Sequence, residues 1–294
     1  MLRRLYYILL AAFAAAQAAG SGSAALKIGA SARGAAMGEA FSAVADDASA
    51  LFWNPAGAVA LEHRSLQLSY ASWIQGISNQ SLSLIAPTHY GSFGFGLMLT
   101  TIEGFEQRLI ASEEPLGVFS ANTVVLAANY ARKILPGWML GFNLKFLHEK
   151  IFLESYQGRM IDLGLQWQTP LAGLRMAAAL QNWGMTARMS RERVQLPLTL
   201  RIGAAYRFPQ SAPVTTVALD YVTVRDEMGH LQAGVEAAPL PYLLLRAGYQ
   251  TGFDDKGISL GFGLRLRRTT IDYAYVPFRR GLGDTHRFSV SLPF

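Results

Sequence analysis

The chain has 294 residues, of which 51% are hydrophobic, 16% are charged and 28 are glycine, and its mean hydropathy is +0.20. So much apolar and aromatic side chain excludes disorder, and the absence of cysteine excludes a disulfide scaffold, a thiol nucleophile and a cysteine-ligated metal. The formal charge of +6 falls to about +4 without Arg3 and Arg4, which gives no footing for nucleic-acid binding.

Residues 1–18 read as a cleaved signal peptide. Arg3 and Arg4 form the basic start, Leu5 to Ala16 an apolar stretch too short for a comfortable span, and Ala16-Gln17-Ala18 a cleavage site. Residues 19–63 follow as a second unit, rich in Ala and Gly and without strand alternation. Asp46 or Asp47 suits the start of a short helix over Ala48 to Trp53, where a carboxylate accepts free backbone N–H groups. Asn54-Pro55 then interrupts it, because the residue before proline is pushed out of the helical region.

From residue 64 to 294 the period changes to two. Trp138, Leu140, Phe142, Leu144 and Phe146 share one face, opposed by Met139, Gly141, Asn143 and Lys145. The same pattern recurs over Leu198 to Phe208 and Ile258 to Leu266. About fourteen such segments can be counted, near 64–73, 79–87, 90–101, 120–131, 138–149, 159–169, 173–183, 197–208, 214–225, 230–238, 242–250, 257–267, 269–277 and 285–294. Their length, about 9–12 residues, is what a tilted strand needs to cross a bilayer. Every second connection is a tight turn; most others are longer and polar, including Thr101 to Phe119, Ile151 to Gly158 and Gly184 to Leu196. The fold expected is all-β, a 14-stranded antiparallel transmembrane barrel in a bacterial outer membrane. A soluble sandwich would need a second layer to cover so many outward Phe, Tyr, Trp and Leu side chains. Trp73, Trp138, Trp167, Tyr130, Tyr206 and Tyr249 are expected on the outward face as interfacial girdles.

Fourteen strands about 4.8 Å apart and tilted about 40° give a backbone diameter of roughly 28 Å, enough for one or two short helices. The inward rows are small in places, as at Ser92, Gly94 and Gly96 or at Gly261 and Gly263. Residues 24–61 are therefore expected as a helical plug in the lumen, the alternative being a tail outside the barrel.

The string Gly34-x-x-Met37-Gly38-x-Ala40-Phe41-x-Ala43-x-Ala45-Asp46-Asp47-Ala48-x-Ala50-x-x-x-Asn54-Pro55-Ala56-Gly57 resembles the N-terminal signature of the PorV/PorQ family. That family is similar to the FadL-type fatty acid transporters, which share the Asn-Pro-Ala element. The resemblance implies a fourteen-strand outer-membrane barrel plugged by its N-terminus, and an accessory or shuttle role in type IX-like protein secretion. The alternative is FadL-like passage of hydrophobic small molecules, to which the inward Met98, Met139 and Leu147 would be suited. This chain departs from the FadL type in its shorter length and modest outer connections. The last residues, alternating through Phe288 and ending on Phe294, resemble the signal read by the barrel assembly machinery.

Nothing in the sequence suggests an enzyme or calls for a cofactor or metal. The five His residues are scattered, and Gly91-Ser92-Phe93-Gly94-Phe95-Gly96 lies on an alternating strand rather than in a phosphate loop. The candidate lumen charges are Lys145, Asp162, Arg201, Arg207, Asp220, Glu236, Arg246, Arg265 and Asp272. Of these, Arg201, Arg207, Arg246 and Arg265 are expected to hold the plug through Asp46, Asp47 or the carbonyls near Asn54; a solvated polar lining is the alternative. The partners expected are outer-membrane lipid, the barrel assembly machinery, and either secreted protein cargo or a hydrophobic ligand.

Overall fold

The computed structural model describes residues 23–107, 117–186, 188–189, 192–208 and 211–294. The proposed signal peptide lies outside them. Alternation along the chain resolves into fourteen strands, here β1 (Ser65–Ser72), β2 (Ile77–Thr88), β3 (Gly91–Gln107), β4 (Gly117–Leu135), β5 (Trp138–Ile151), β6 (Glu154–Gln168), β7 (Leu174–Thr186), β8 (Thr199–Phe208), β9 (Val214–Val224), β10 (His230–Leu240), β11 (Leu243–Gln250), β12 (Ile258–Leu266), β13 (Thr269–Pro277) and β14 (Asp284–Pro293). Each pairs antiparallel with the next, and β14 returns to β1 from Ser65↔Pro293 to Ser72↔His286, so the sheet closes and leaves no edge. A two-residue ribbon, Arg188–Met189 with Glu192–Arg193, stands apart between β7 and β8.

The expected outward rows are exposed, as at Phe93, Phe95, Leu144, Ile202, Leu219 and Leu260, while their neighbours in sequence point inward and are buried. The wall is taller on one side than the sequence suggests. β3 has 17 residues and β4 has 19. The expected long connection from Ile151 to Gly158 is instead the turn Phe152-Leu153, because β5 and β6 keep pairing as far as Ile151↔Glu154. Trp73 also departs from expectation. Its ring lies 4.5 Å from the guanidinium of Arg287, a buried inward residue, so it packs over the lumen mouth rather than into a girdle. Trp138 and Trp167 do share the outer face, stacked with centroids 4.9 Å apart.

One irregularity marks the wall between β6 and β7. Ile161 pairs with Trp183, but Leu163 pairs with Leu180, so β7 carries an extra residue there. Gln181 and Asn182 are both buried, and Asn182 takes φ +61°. The fully buried Asp162 carboxylate holds the slip, accepting from the Asn182 N–H at 2.8 Å and from Lys145 Nζ at 2.7 Å.

The buried apolar residues are mostly inside the ring. Residues 23–61 run through it as short pieces: 3-10 turns at Ala24–Lys27 and Pro55–Ala60, and helices α1 (Ala32–Ala36) and α2 (Ala50–Trp53). None is long enough to be stable alone; their stability comes from contact with the wall.

Candidate functional site

Small residues on the strands admit the backbone of this segment. A Cβ on Gly164 would overlap Asn54 Oδ1, one on Gly141 would overlap the Pro55 carbonyl carbon, and one on Gly248 would overlap Gly38 N. Gly38 itself has φ +62° and lies against the backbone of Tyr249, a place where a side chain is both strained and obstructed. The Asn54-Pro55-Ala56-Gly57 element is thus a packing element. Asn54 Oδ1 accepts from Ala56 N, and its Nδ2 donates to Ser42 O and to Leu165 O of β6. Gly57 has no room for a side chain against Ala45 O. Met37 is fully buried against Gly234 of β10.

Polar side chains of the strands satisfy the segment's free carbonyls, as buried backbone requires. Asn143 Nδ2 donates to Leu51 O at 2.7 Å, Gln181 Nε2 to Phe52 O at 2.6 Å, and Gln166 Nε2 to Ser42 O at 3.0 Å. The Asp220 carboxylate accepts from the N–H groups of Phe41 and Ser42. Near the start of α2, Asp47 accepts from Ser49 N at 2.9 Å, so the expected capping carboxylate sits two residues before the N-cap Ser49.

The four candidate arginines divide. Arg246 is fully buried and donates to Glu236 at 2.6 Å and to Asp272 at 2.7 Å, within the wall. Arg201 donates to Gln181, to Gln232 and to the Glu39 carbonyl, and its guanidinium lies 5.2 Å from the Trp53 ring. Arg207 and Arg265 form no ion pair among the described residues. They line a cavity of about 730 Å³ at the short-turn end, together with Val44, Arg175, Ala205 and Leu244.

None of the four meets Asp46 or Asp47. Those carboxylates pair with Arg33, at 2.6 and 3.1 Å, and Arg33 also donates to both Glu236 oxygens. The linkage therefore runs opposite to expectation: an arginine of the N-terminal segment reaches a carboxylate of the wall. The physical reason is reach, since Arg33 lies within the segment beside both aspartates. One signal was available, because Arg33 is the only cation between Lys27 and His63. A second buried pair, Arg287 with Glu39 at 3.7 Å, was also missed. Burial alone would raise the Glu39 carboxyl, but Lys256, Arg287 and Arg201 together hold it below the usual range. Burial pushes the Asp47 carboxyl up, against the opposing pull of Arg33 and Ser49.

Buried charges lie on β8 to β14 and also, as Lys145, Glu149 and Asp162, on β5 and β6. Beside the latter, Met98, Val125, Leu147, Tyr156 and Met160 of β3 to β6 form an apolar lane with Leu196 and Ala30. Leu26 and Phe52 pack against this lane, and a gap of about 40 Å³ remains beside Phe52 and Trp53. Among the described residues no group of His, Asp and Glu is placed to hold a metal ion.

Residues 12–154 match the model of an uncharacterised protein family, UPF0164. A UPF0164 protein of Treponema pallidum (strain Nichols) is 27% identical over 174 residues, covering 54% of this chain and 43% of that protein, so the match spans under half of the relative's length. In overall shape the chain is similar to the toluene transporter TbuX of Ralstonia pickettii, with a TM-score of 0.64 at 14% identity over 90% of this chain and 98% of that one. It is also similar to the CymD monoaromatic hydrocarbon channel, with a TM-score of 0.64 at 13% identity over 90% and 98%. A FadL homologue of Pseudomonas aeruginosa gives 0.59 at 14% identity, covering 93% of this chain and 99% of that one. At such identities the likeness is one of fold: the chain is a closed 14-strand antiparallel barrel of FadL-like architecture.

Proposed function

We propose that the protein is an outer-membrane channel for small hydrophobic compounds, with residues 23–61 as its lumen plug. The observation that carries this is the apolar lane on β3 to β6, which runs beside Phe52 inside the barrel. A molecule without charge gains by burial against Met98, Val125 and Leu147, whereas an ion would face an already neutralised set of pairs. The outward apolar rows match a bilayer. The fold-level likeness to hydrocarbon and FadL-type channels supports transport over the accessory secretion role that the sequence resemblance suggests, and no contact among the described residues favours protein cargo. On this reading the chain exchanges one apolar neighbour of Phe52 for a ligand, and no residue has a catalytic task.

The test is uptake of a hydrophobic fluorophore, N-phenyl-1-naphthylamine, into vesicles carrying the purified chain. Entry faster than into empty vesicles, slowed about tenfold by Val125→Lys and Met98→Lys, is the expected result. Entry no faster than into empty vesicles would remove the transport reading.

A further inference from the structure

The outer wall carries a feature that transport does not use. Along the outward rows of the fourteen strands, the basic residues are Arg132 on β4, His148 and Lys150 on β5, Arg159 on β6 and His286 on β14. Three of these five sit on two adjacent strands. Their register places Phe146 opposite Arg159, His148 opposite Gln157 and Lys150 opposite Ser155. The outward rows of β4 to β7 hold no carboxylate among the described residues. Arg159 and Lys150 form no ion pair there, whereas Arg33, Lys145 and Arg246 inside the lumen are all paired.

The height of these cations is informative. Eight residues separate Trp167 from Arg159 on β6, which is about 20 Å along the axis of a tilted barrel. Lys150 is paired four residues further on. The stacked Trp138 and Trp167 mark one interface, so Arg159 and Lys150 stand at the opposite edge of an apolar band about 25 Å tall.

Directly below Arg159 the wall is indented. A crevice of about 1010 Å³ lies between Leu126, Leu144, Phe146, Ile161, Trp183 and Met185, with Arg159 and Gln157 at its rim. It lies beside the slip between β6 and β7, where two successive residues of β7 turn inward and the outer row loses its even spacing. The outward Ala128 is small enough to leave it open. Trp183 and Met185 are 56% and 74% exposed in it, an apolar surface with no protein cover.

We propose that this crevice is a docking site for a phosphate-bearing membrane lipid, whose acyl chain lies along Leu144, Ile161 and Trp183 and whose phosphate is held by Arg159 and Lys150. The occupant follows from the pattern: a long apolar trough with Arg159 at its rim and Lys150 four residues above it, with no ion pair to either and no carboxylate on the outward rows of β4 to β7 among the described residues, complements an anionic amphiphile and not a zwitterionic one. The site rests on the membrane placement of the wall and is independent of what the lumen passes.

The full chain is inserted in phosphatidylcholine vesicles containing either phosphatidylglycerol or further phosphatidylcholine with brominated acyl chains. Quenching of Trp183 is read as the difference from Trp183→Phe. Brominated phosphatidylglycerol is expected to quench Trp183 several-fold more than brominated phosphatidylcholine at equal mole fraction. The preference is lost in Lys150→Gln/Arg159→Gln, is kept in Arg159→Lys, and is kept in Arg132→Gln at the other end of the wall. Equal quenching by the two lipids in the unaltered chain, or a preference that survives the double substitution, overturns the proposal. An unaltered chain that stays outside the vesicles overturns the membrane reading and this proposal with it, whereas insertion without preference removes this proposal alone.

Discussion

Glu236 is the residue on which the two halves of the lumen meet. It accepts from Arg33 of the N-terminal segment and from Arg246 of the neighbouring strand, at 2.6 to 2.9 Å. Removing one member of a buried charge network leaves the others unpaired in a medium that solvates them poorly. Glu236→Gln is therefore expected to destabilise the refolded barrel by about 3–5 kcal/mol, read as a lower urea midpoint. Arg33→Ala should cost less, because Arg246 and Asp272 keep Glu236 within a paired set and Asp46 retains access to water. At Gly164 the mechanism is steric. Gly164→Val places carbon where Asn54 Oδ1 sits, so the Asn54-Pro55 turn must leave the wall. The expected outcome is a folded barrel with a larger single-channel conductance; an unchanged conductance would show that the turn does not obstruct the lumen.

At the scale of elements, the pieces between residues 23 and 61 are too short to hold themselves together, and their carbonyls depend on Asn143, Gln166 and Gln181 of the strands. The strands depend on them much less, since each has a hydrogen-bonded neighbour on both sides. A chain lacking residues 23–61 is thus expected to keep its barrel, seen as a band that shifts on gels when boiled, and to conduct freely. Collapse of that band would show that the wall needs its filling. β14 closes the ring onto β1, and Phe294 N donates to Arg64 O beyond the last pair. Deleting Phe294 is expected to slow membrane assembly several-fold while leaving the stability of barrels that do form nearly unchanged, as a pulse-chase measurement of heat-modifiable protein would show.

For the molecule as a whole, the interior combines an apolar lane under the tall wall of β3 to β6 with buried charges on β5, β6 and β8 to β14. The lane supports the proposed passage of uncharged compounds, because such a channel needs one dry path and can neutralise the remaining surface. Strand number, most of the outward rows and the approximate position of most turns were legible in the sequence, because alternation is a local property with a fixed period of two. The family-like string of Gly34 to Gly57 also marked a packing element, since glycine, proline and asparagine announce special backbone geometry wherever they fall. The charge partners were not legible. Arg33 and Glu236 are 203 residues apart, and nothing local to either selects the other until the sheet has closed. The same closure brings Arg201 to Glu39 O and leaves Arg207 and Arg265 at a cavity rim, although all three lie on inward rows of similar appearance. The sequence determined by itself that this chain makes a closed wall with one greasy side; which interior groups meet, and where the wall is dented, was decided only by the register of strands against one another, because registers are set by the ring as a whole.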